Sequence, residues 1–144
     1  MDNDKFVPAF RAMVRVRQVF EDALSPFTSH IAIDLLLAAA SWASPPKPER
    51  SLTVKQLFAQ LPHSDRAVRI HFNRLVSQGL LATEPGRQDR RTKIVRLPAR
   101  GESLLRRAAS VLLQTLQRES RAAAKAADPA RGSATRANGA RASR

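Results

Sequence analysis

The hydrophobic pattern of the chain changes at Gly79, inside the segment from residue 51 to residue 97. Before this glycine, apolar residues recur every three or four positions, as in helices, and after it they stand in short strand-like runs. The two runs, Leu80–Thr83 and Lys93–Leu97, flank the polar segment Glu84–Arg91, so we expect a hairpin. Short helices followed by a hairpin are compatible with only a few folds.

The first helix of this segment is marked by a capping box of Thr53 and Gln56, in which each side chain satisfies a backbone amide at the helix start. The helix therefore begins at Val54 and runs to about Leu61. Pro62 ends it, because proline has no amide to donate.

The second helix begins at a Ser64 cap and runs to about Gln78, with Val68, Phe72 and Leu75 on its inner face. Its opposite face can read base edges, because arginine pairs with guanine and asparagine with adenine through two hydrogen bonds. The candidate reading residues are Ser64, Arg66, Arg69, Ile70 and Asn73. Taken alone, such a face is more often a solvated helix surface, but its place between a capped helix and a basic hairpin favours DNA binding.

The predicted hairpin has a basic tip, whose cations are Arg87, Arg90, Arg91 and Lys93, beside Asp89. Two helices joined by a tight turn and followed by such a hairpin form a winged helix-turn-helix. In this arrangement the second helix enters the major groove. The hairpin, or wing, lies on the phosphates or in the minor groove.

The charge of the whole chain favours a polyanionic partner. Its 144 residues include 25 Lys and Arg against 12 Asp and Glu, a formal charge of +13. Nucleic acid, an anionic membrane and an acidic protein are the partners that fit this excess. The lack of cysteine excludes disulfides and thiolate metal sites. No motif for catalysis, a cofactor or a metal is present, so an enzyme is the last hypothesis.

Apolar residues at helical spacing predict further helices over residues 5–24, 27–43 and 101–125. Residues 127–144 are rich in Ala, Arg, Gly and Ser, which predicts a disordered basic tail. The N-terminus is acidic, where a signal peptide would be basic, and the most apolar stretch, Ile31–Ala43, is too short to span a bilayer. We therefore expect a cytoplasmic, nucleoid-associated protein that does not contact a membrane.

The wing and the segment after it carry a specific motif, in which Asp89 and Arg91 form an Asp-x-Arg pair and Leu97 and Gly101 close the following strand. Together with residues 52–57 and 64–81, these residues resemble the MarR family of bacterial transcriptional regulators, over about residues 28 to 110. Pro98 stands where the family has threonine.

The resemblance implies a dimer. In this family the first and last helices intertwine, so residues 1–27 and 101–126 would form the dimerisation region around a DNA-binding domain at 28–100. The wing aspartate of the family orients a wing arginine. That role is carried over to Asp89, with Arg90 or Arg91 as the residue that touches DNA.

Many relatives also bind small aromatic acids between their dimerisation and DNA-binding regions. His30, Asp34 and Trp42 are the candidates for such an effector pocket. The more ordinary interpretation makes His30 and Asp34 a surface or dimer-interface pair and Trp42 a core residue.

The sequence thus predicts a mainly α protein with a small β-hairpin wing, a winged helix-turn-helix whose terminal helices form a dimerisation region. Its predicted function is that of a dimeric repressor of transcription. Helix 64–78 would read a pseudo-palindromic operator in the major groove, and the 84–93 wing would lie on the backbone or in the minor groove. The alternative is an architectural or replication/partition protein with little sequence preference. An RNA-binding protein is disfavoured by the few aromatic residues available for stacking.

Overall fold

The computed structural model of the chain describes residues 6–43 and 51–128. In this part of the chain, five helices and one antiparallel hairpin follow in the order α1 (Val7–Leu24), α2 (His30–Ala43), α3 (Val54–Ala59), α4 (Asp65–Ser77), β1 (Ala82–Pro85), β2 (Lys93–Arg96) and α5 (Ala99–Ala126). The predicted mainly α fold with a hairpin wing is confirmed. Residues 44–50, and residues 129–144 of the predicted tail, lie outside the described residues.

One hydrophobic core joins the helices to the base of the hairpin. Val68, Phe72 and Leu75 of α4 are buried, which confirms the predicted inner face of this helix. Leu104 and Ala108 of α5 belong to the same core. The largest fully buried side chains are Phe20, Leu24, Leu35, Leu36, Leu57, Val68, Leu75 and Leu81.

Because of the turn after α4, the first strand begins two residues later than the sequence predicts. Gly79 has a φ of +71°, and its amide donates to the carbonyl of Val76, while the amide of Leu80 donates to that of Leu75. These two bonds form a Schellman motif, which closes the helix end. Because the Leu80 amide is used in the cap, β1 covers Ala82–Pro85. The prediction of a strand over 80–83, with 84 and 85 in the turn, was wrong.

Two of the outer helices also differ from their predicted bounds. The helix predicted from residue 27 begins at His30, because the Ser29 hydroxyl accepts a hydrogen bond from the Ile31 amide at 3.2 Å and so caps the start of α2. The helix predicted from Gly101 begins at Ala99, directly after Pro98. No helix of the described residues has the length and apolar character needed to cross a lipid bilayer.

The terminal helices α1 and α5 pack against each other. An ion pair of 3.2 Å between Arg11 and Glu119 places the N-terminal half of α1 beside the C-terminal half of α5. At this end both helices expose apolar side chains. They are Phe6 directly before α1, Val7, Phe10, Met13 and Val14 of α1, and Leu112, Leu113 and Leu116 of α5.

Candidate nucleic-acid interface

α3 is fixed at its start by the predicted capping box. The Thr53 hydroxyl accepts a hydrogen bond from the amide of Gln56 at 3.1 Å, and the Gln56 side-chain oxygen accepts one from the amide of Thr53 at 3.0 Å. The helix ends at Ala59, two residues before the predicted end. The amides of Gln60 and Leu61 bond to carbonyls three residues back, which tightens the last turn and stops the α-helix.

α4 begins at the predicted cap. The hydroxyl of Ser64 accepts a hydrogen bond from the amide of Ala67 at 3.3 Å, and its proton remains available for a phosphate oxygen. Asp65 in the first turn suits the positive end of the helix dipole. The start of α4 is therefore well stabilised, and this end of the helix carries one carboxylate.

The outer face of α4 carries the candidate reading residues. Arg66, Arg69, Ile70 and Asn73 are all exposed, and they lie on the side opposite the buried residues of the helix. Arg66, Ile70 and Asn73 follow at intervals of four and three residues, which places them in one row along the helix. The structure thus brings the predicted reading residues onto a single surface.

The wing is a short hairpin in which Ala82 pairs with Arg96 and Pro85 with Lys93. The amide of Gly86 donates to the carbonyl of Thr92 at 2.7 Å. A β-carbon at Gly86 would lie 2.7 Å from the carbonyl oxygen of Asp89, so the turn requires glycine here.

Asp89 acts on the backbone of the wing. Its carboxylate accepts a hydrogen bond from the amide of Arg91 at 2.9 Å and one from the Thr92 hydroxyl at 3.5 Å. The family resemblance implies an aspartate that orients a wing arginine, and here the contact is with the main chain of that arginine. Among the ion pairs of the described residues, none involves the Asp89 carboxylate.

The wing is tied to the start of α3. The amide of Val95 donates to the carbonyl of Leu52 at 2.8 Å, and Thr53 forms an isolated β-bridge with Ile94. These bonds hold β2 beside the first turn of α3, so that the wing and the helix-turn-helix form one surface.

A groove of about 820 Å³ lies between α3, α4 and the wing. Four cations line it, one from α3, one from α4 and two from the wing: Lys55, Arg69, Arg91 and Lys93. Asp65 is the one carboxylate among its lining residues. Lys55 was not among the predicted site residues, because only the pairing of Thr53 with Ile94 brings the first turn of α3 to the wing.

The cations near the groove fall into two classes. Arg96 pairs with Glu84 across the wing, and Arg74 stacks over the ring of Phe27 at 4.8 Å. By contrast, Arg66, Arg69, Arg87, Arg90, Arg91, Lys55 and Lys93 have no carboxylate partner among the described residues. These unpaired cations give the surface the positive potential that attracts phosphates.

The ion pair of the wing changes the titration of both partners. The hydrogen bond from Arg96 lowers the pKa of Glu84 below its ordinary value, and the same bond raises the pKa of Arg96. Because the two charges of this pair offset each other, Arg96 adds little to the net charge of the wing.

A histidine cluster lies between α2 and the loop that joins α3 to α4. His63 Nε2 is 2.9 Å from a carboxylate oxygen of Asp34, and the rings of His30 and His63 meet edge to face with centroids 5.3 Å apart. Within one chain the partner of Asp34 is therefore His63, and His30 is not paired with Asp34 as a surface pair. No group of three His, Asp or Glu side chains within residues 6–43 and 51–128 is placed to hold a metal ion.

Of the three residues predicted for an effector pocket, His30 and Asp34 both contact His63, whereas Trp42 does not belong to this cluster. A groove of about 790 Å³ opens between α1 and α2, lined by Arg17, Glu21, Asp22, Ser25, Thr28, Ser29, His30 and Ile33. It includes His30 but neither Asp34 nor Trp42. Trp42 is 37% exposed, and its indole donates to Gln60 at 3.2 Å, so the interpretation of Trp42 as a core residue is wrong.

Comparison with known proteins gives matches in structure and none in sequence families: no protein-family model and no curated protein matches the chain. A mutant of the MepR protein from S. aureus, bound to an oligodeoxyribonucleotide, matches with a TM-score of 0.59 and 18% identity, over 76% of this chain and 73% of that chain. The PcaV transcriptional regulator from Streptomyces coelicolor matches with a TM-score of 0.50 and 20% identity, over 77% of this chain and 76% of that chain.

Two further crystal structures agree with these matches. The transcriptional regulator PA4135 matches with a TM-score of 0.51 and 14% identity, over 76% of each chain. PcaV in complex with its natural ligand matches with a TM-score of 0.50 and 20% identity, over 76% of this chain and 72% of that chain. The chain therefore has the mainly helical winged-helix fold of these proteins, with a two-stranded antiparallel hairpin as its wing.

Proposed function

We propose that the chain is a MarR-family transcriptional regulator that binds double-stranded DNA in a sequence-specific manner. The observation that carries this proposal is the groove between α3, α4 and the wing, in which Lys55, Arg69, Arg91 and Lys93 converge. Three of these cations, Lys55, Arg91 and Lys93, suit a phosphate backbone, which presents charges at regular spacing, and Arg69 lies beside them on the helix proposed to read base edges. The Asp-x-Arg motif of the wing and the shared fold support the family.

In this proposal α4 lies in the major groove and the wing lies on the backbone or in the minor groove. Arg66, Arg69 and Asn73 are exposed in the direction opposite the core, so they can reach base edges. The wing cations Arg87, Arg90, Arg91 and Lys93 contact phosphates and set affinity more than specificity.

The regulator acts as a homodimer through residues 1–27 and 101–126, with residues 28–100 as the DNA-binding domain. Apolar side chains such as Val14, which is 69% exposed, lie at one end of the α1–α5 pair. Burial of these side chains against a second copy of the chain would remove them from water, and this supports the dimer. A dimer places two copies of α4 in successive major grooves, about 10 bp apart. Bound to a pseudo-palindromic operator, it represses by excluding polymerase.

Regulation by a small aromatic effector belongs to the same proposal. The groove between α1 and α2 contains Ser29 and His30, each of which can donate a hydrogen bond to a carboxylate, while Arg17 in the same groove is paired with Glu21. PcaV, which shares the fold, has a structure with its natural ligand. As a DNA-binding regulator, the protein would work in the cytoplasm, at the nucleoid.

The test of the proposal is selection of bound duplexes from a random DNA library by the full chain at near-physiological salt. We expect an inverted repeat with half-sites one helical turn apart. Tight binding without any enriched sequence would support an architectural or replication/partition protein instead. Absence of duplex binding would reject DNA as the partner.

Amino-acid substitutions can distinguish residues that recognise the base sequence from residues that contribute only positive charge. Arg69→Ala should weaken binding to the selected operator by about tenfold or more and relax the sequence preference at one position of each half-site. Arg91→Ala should weaken binding to all sequences alike and reduce the salt dependence by about one phosphate contact. Arg106→Ala on α5, where the arginine pairs with Glu102, serves as the matched control and should leave affinity unchanged.

A further inference from the structure

Ile70 is an apolar side chain in the centre of a polar and cationic surface. It is 44% exposed, whereas Val68 and Leu75 of the same helix are 0% and 1% exposed. Arg66 lies one turn before it and Asn73 one turn after it on the outer face of α4. Ile70 therefore contributes little to the core and stands where the helix would face base edges.

The chemistry of the major groove limits what such a side chain can contact. Base edges there present hydrogen-bond donors and acceptors, and their one apolar group is the C5-methyl of thymine. An aliphatic side chain over a donor or acceptor would remove water from it without replacing the hydrogen bond, which costs free energy. Against the thymine methyl, the same side chain gains by burying apolar surface.

The shape of isoleucine adds precision to this contact. Two carbon groups on Cβ leave essentially one χ1 rotamer in a helix, so the side chain is held in place before binding. No intramolecular contact has to be broken for it to meet a base, because its exposed surface already points away from the core.

We propose that Ile70 is a specificity-determining residue that selects a thymine in each half-site by packing on the C5-methyl group. This inference rests on the proposed function, since it requires α4 to lie in the major groove. Each half-site of the operator would then contain an A·T base pair that Ile70 recognises through the thymine methyl group, without a hydrogen bond.

The experiment uses the full chain and the operator recovered from the random library. Each thymine of one half-site is replaced in turn by deoxyuridine, which removes the methyl and preserves base pairing, and the Kd is measured by fluorescence anisotropy at fixed salt. For the unsubstituted protein we expect one position at which deoxyuridine weakens binding by about fourfold, the effect of exposing one buried methyl-sized group.

Variants of the protein test whether Ile70 causes the loss of affinity at the deoxyuridine position. Ile70→Ala should bind thymine and deoxyuridine equally at that position, while Ile70→Val should retain most of the discrimination because it keeps the branched Cβ. Arg69→Ala, the matched control on the same surface, should lose affinity but keep the preference for thymine. Circular dichroism should show the same helical content in all four proteins.

The outcomes distinguish the inference from the function on which it rests. If an operator is recovered but deoxyuridine has no effect at any position, or has the same effect in Ile70→Ala, the role of Ile70 is rejected and the regulator stands. If the library yields no enriched sequence, the proposed function is rejected together with the inference.

Discussion

Gly101 lies where α5 approaches the backbone that leads into the wing. A β-carbon at this position would overlap the carbonyl oxygen of Leu80 and would lie 3.0 Å from a methyl of Leu97. The first turn of α5 can therefore pack against the α4–β1 connection only because residue 101 has no side chain. The position of the long terminal helix relative to the wing depends on this contact.

Gly101→Ala should lower the free energy of unfolding by about 1–3 kcal/mol, because the added carbon meets backbone that cannot move aside. This loss outweighs the gain of about 1 kcal/mol that alanine usually brings to a helix interior. Urea unfolding followed by circular dichroism measures the change. Ser103→Ala, at an exposed position of the same helix turn, should change stability by less than about 0.5 kcal/mol. If Gly101→Ala were as stable as the natural protein, the predicted overlap of the β-carbon with the Leu80 carbonyl would be contradicted.

His71 makes stability depend on pH. Burial lowers the pKa of His71 below its ordinary value of 6.5, and the nearby charges of Arg74, His30 and His63 act in the same direction. The unfolded chain then binds more protons than the folded chain at mildly acidic pH. The contribution of His71 to the free energy of unfolding is therefore present above pH 6.5 and is lost as the pH falls toward the lowered pKa.

The corresponding measurement compares urea unfolding of the natural protein and His71→Asn at pH 7.5, 6.5 and 5.5. The natural protein should lose more stability than the variant over this interval, because asparagine does not titrate. Identical pH profiles would exclude His71 as the source.

At the scale of elements, the capping box of α3 connects a local sequence signal to the shape of the interface. α3 has only six residues, and a helix of this length is not stable without its caps and its tertiary contacts. Thr53 both caps the helix and pairs with Ile94 of β2. The same residue therefore stabilises α3 and holds the wing against it.

Thr53→Ala should lower the free energy of unfolding by about 1 kcal/mol, the usual effect of removing a side-chain cap. DNA affinity should also fall, since Lys55 in the first turn loses its fixed position in the groove. Thr53→Ser keeps the hydroxyl and should retain most of both properties. Should the serine variant lose as much as the alanine variant, the hydroxyl would not be the cause.

At the scale of the whole molecule, the exposed apolar residues of α1 and α5 favour self-association. Met13 and Val14 are 65% and 69% exposed, and Leu113 is 58% exposed. The ion pair between Arg11 and Glu119 places these residues at the same end of the helix pair. An apolar surface formed by both terminal helices suits a symmetric dimer, in which the same surface of each copy covers that of the other.

Val14→Glu should shift the protein from dimer to monomer, because burying an unpaired carboxylate in an apolar interface is unfavourable. Sedimentation equilibrium or light scattering measures the mass. Val76→Glu, at an exposed apolar residue of α4, should leave the mass unchanged. Circular dichroism verifies that both variants fold. A natural protein with the mass of one chain at micromolar concentration would exclude the dimer.

Much of the candidate interface could be predicted from residues close together in the sequence. The capping box of Thr53 and Gln56, the Ser64 cap and the spacing of Val68, Phe72 and Leu75 are local patterns, and they are enough to orient the outer face of α4. Lys55 could not be assigned to the site in this way. Its place in the groove depends on pairing between residues that are about forty positions apart.

The sequence by itself determined the starts of α3 and α4, the glycine stop at residue 79 and the presence of a basic hairpin, because these features rest on hydrogen bonds within a few residues and on periodicity. Only the tertiary structure decided that β1 starts at Ala82, that Asp34 pairs with His63, and that Trp42 remains exposed. The physical reason is that a backbone amide or a carboxylate has several possible hydrogen-bond partners in the chain and bonds to only one of them. Packing of distant segments selects that partner, and local sequence does not.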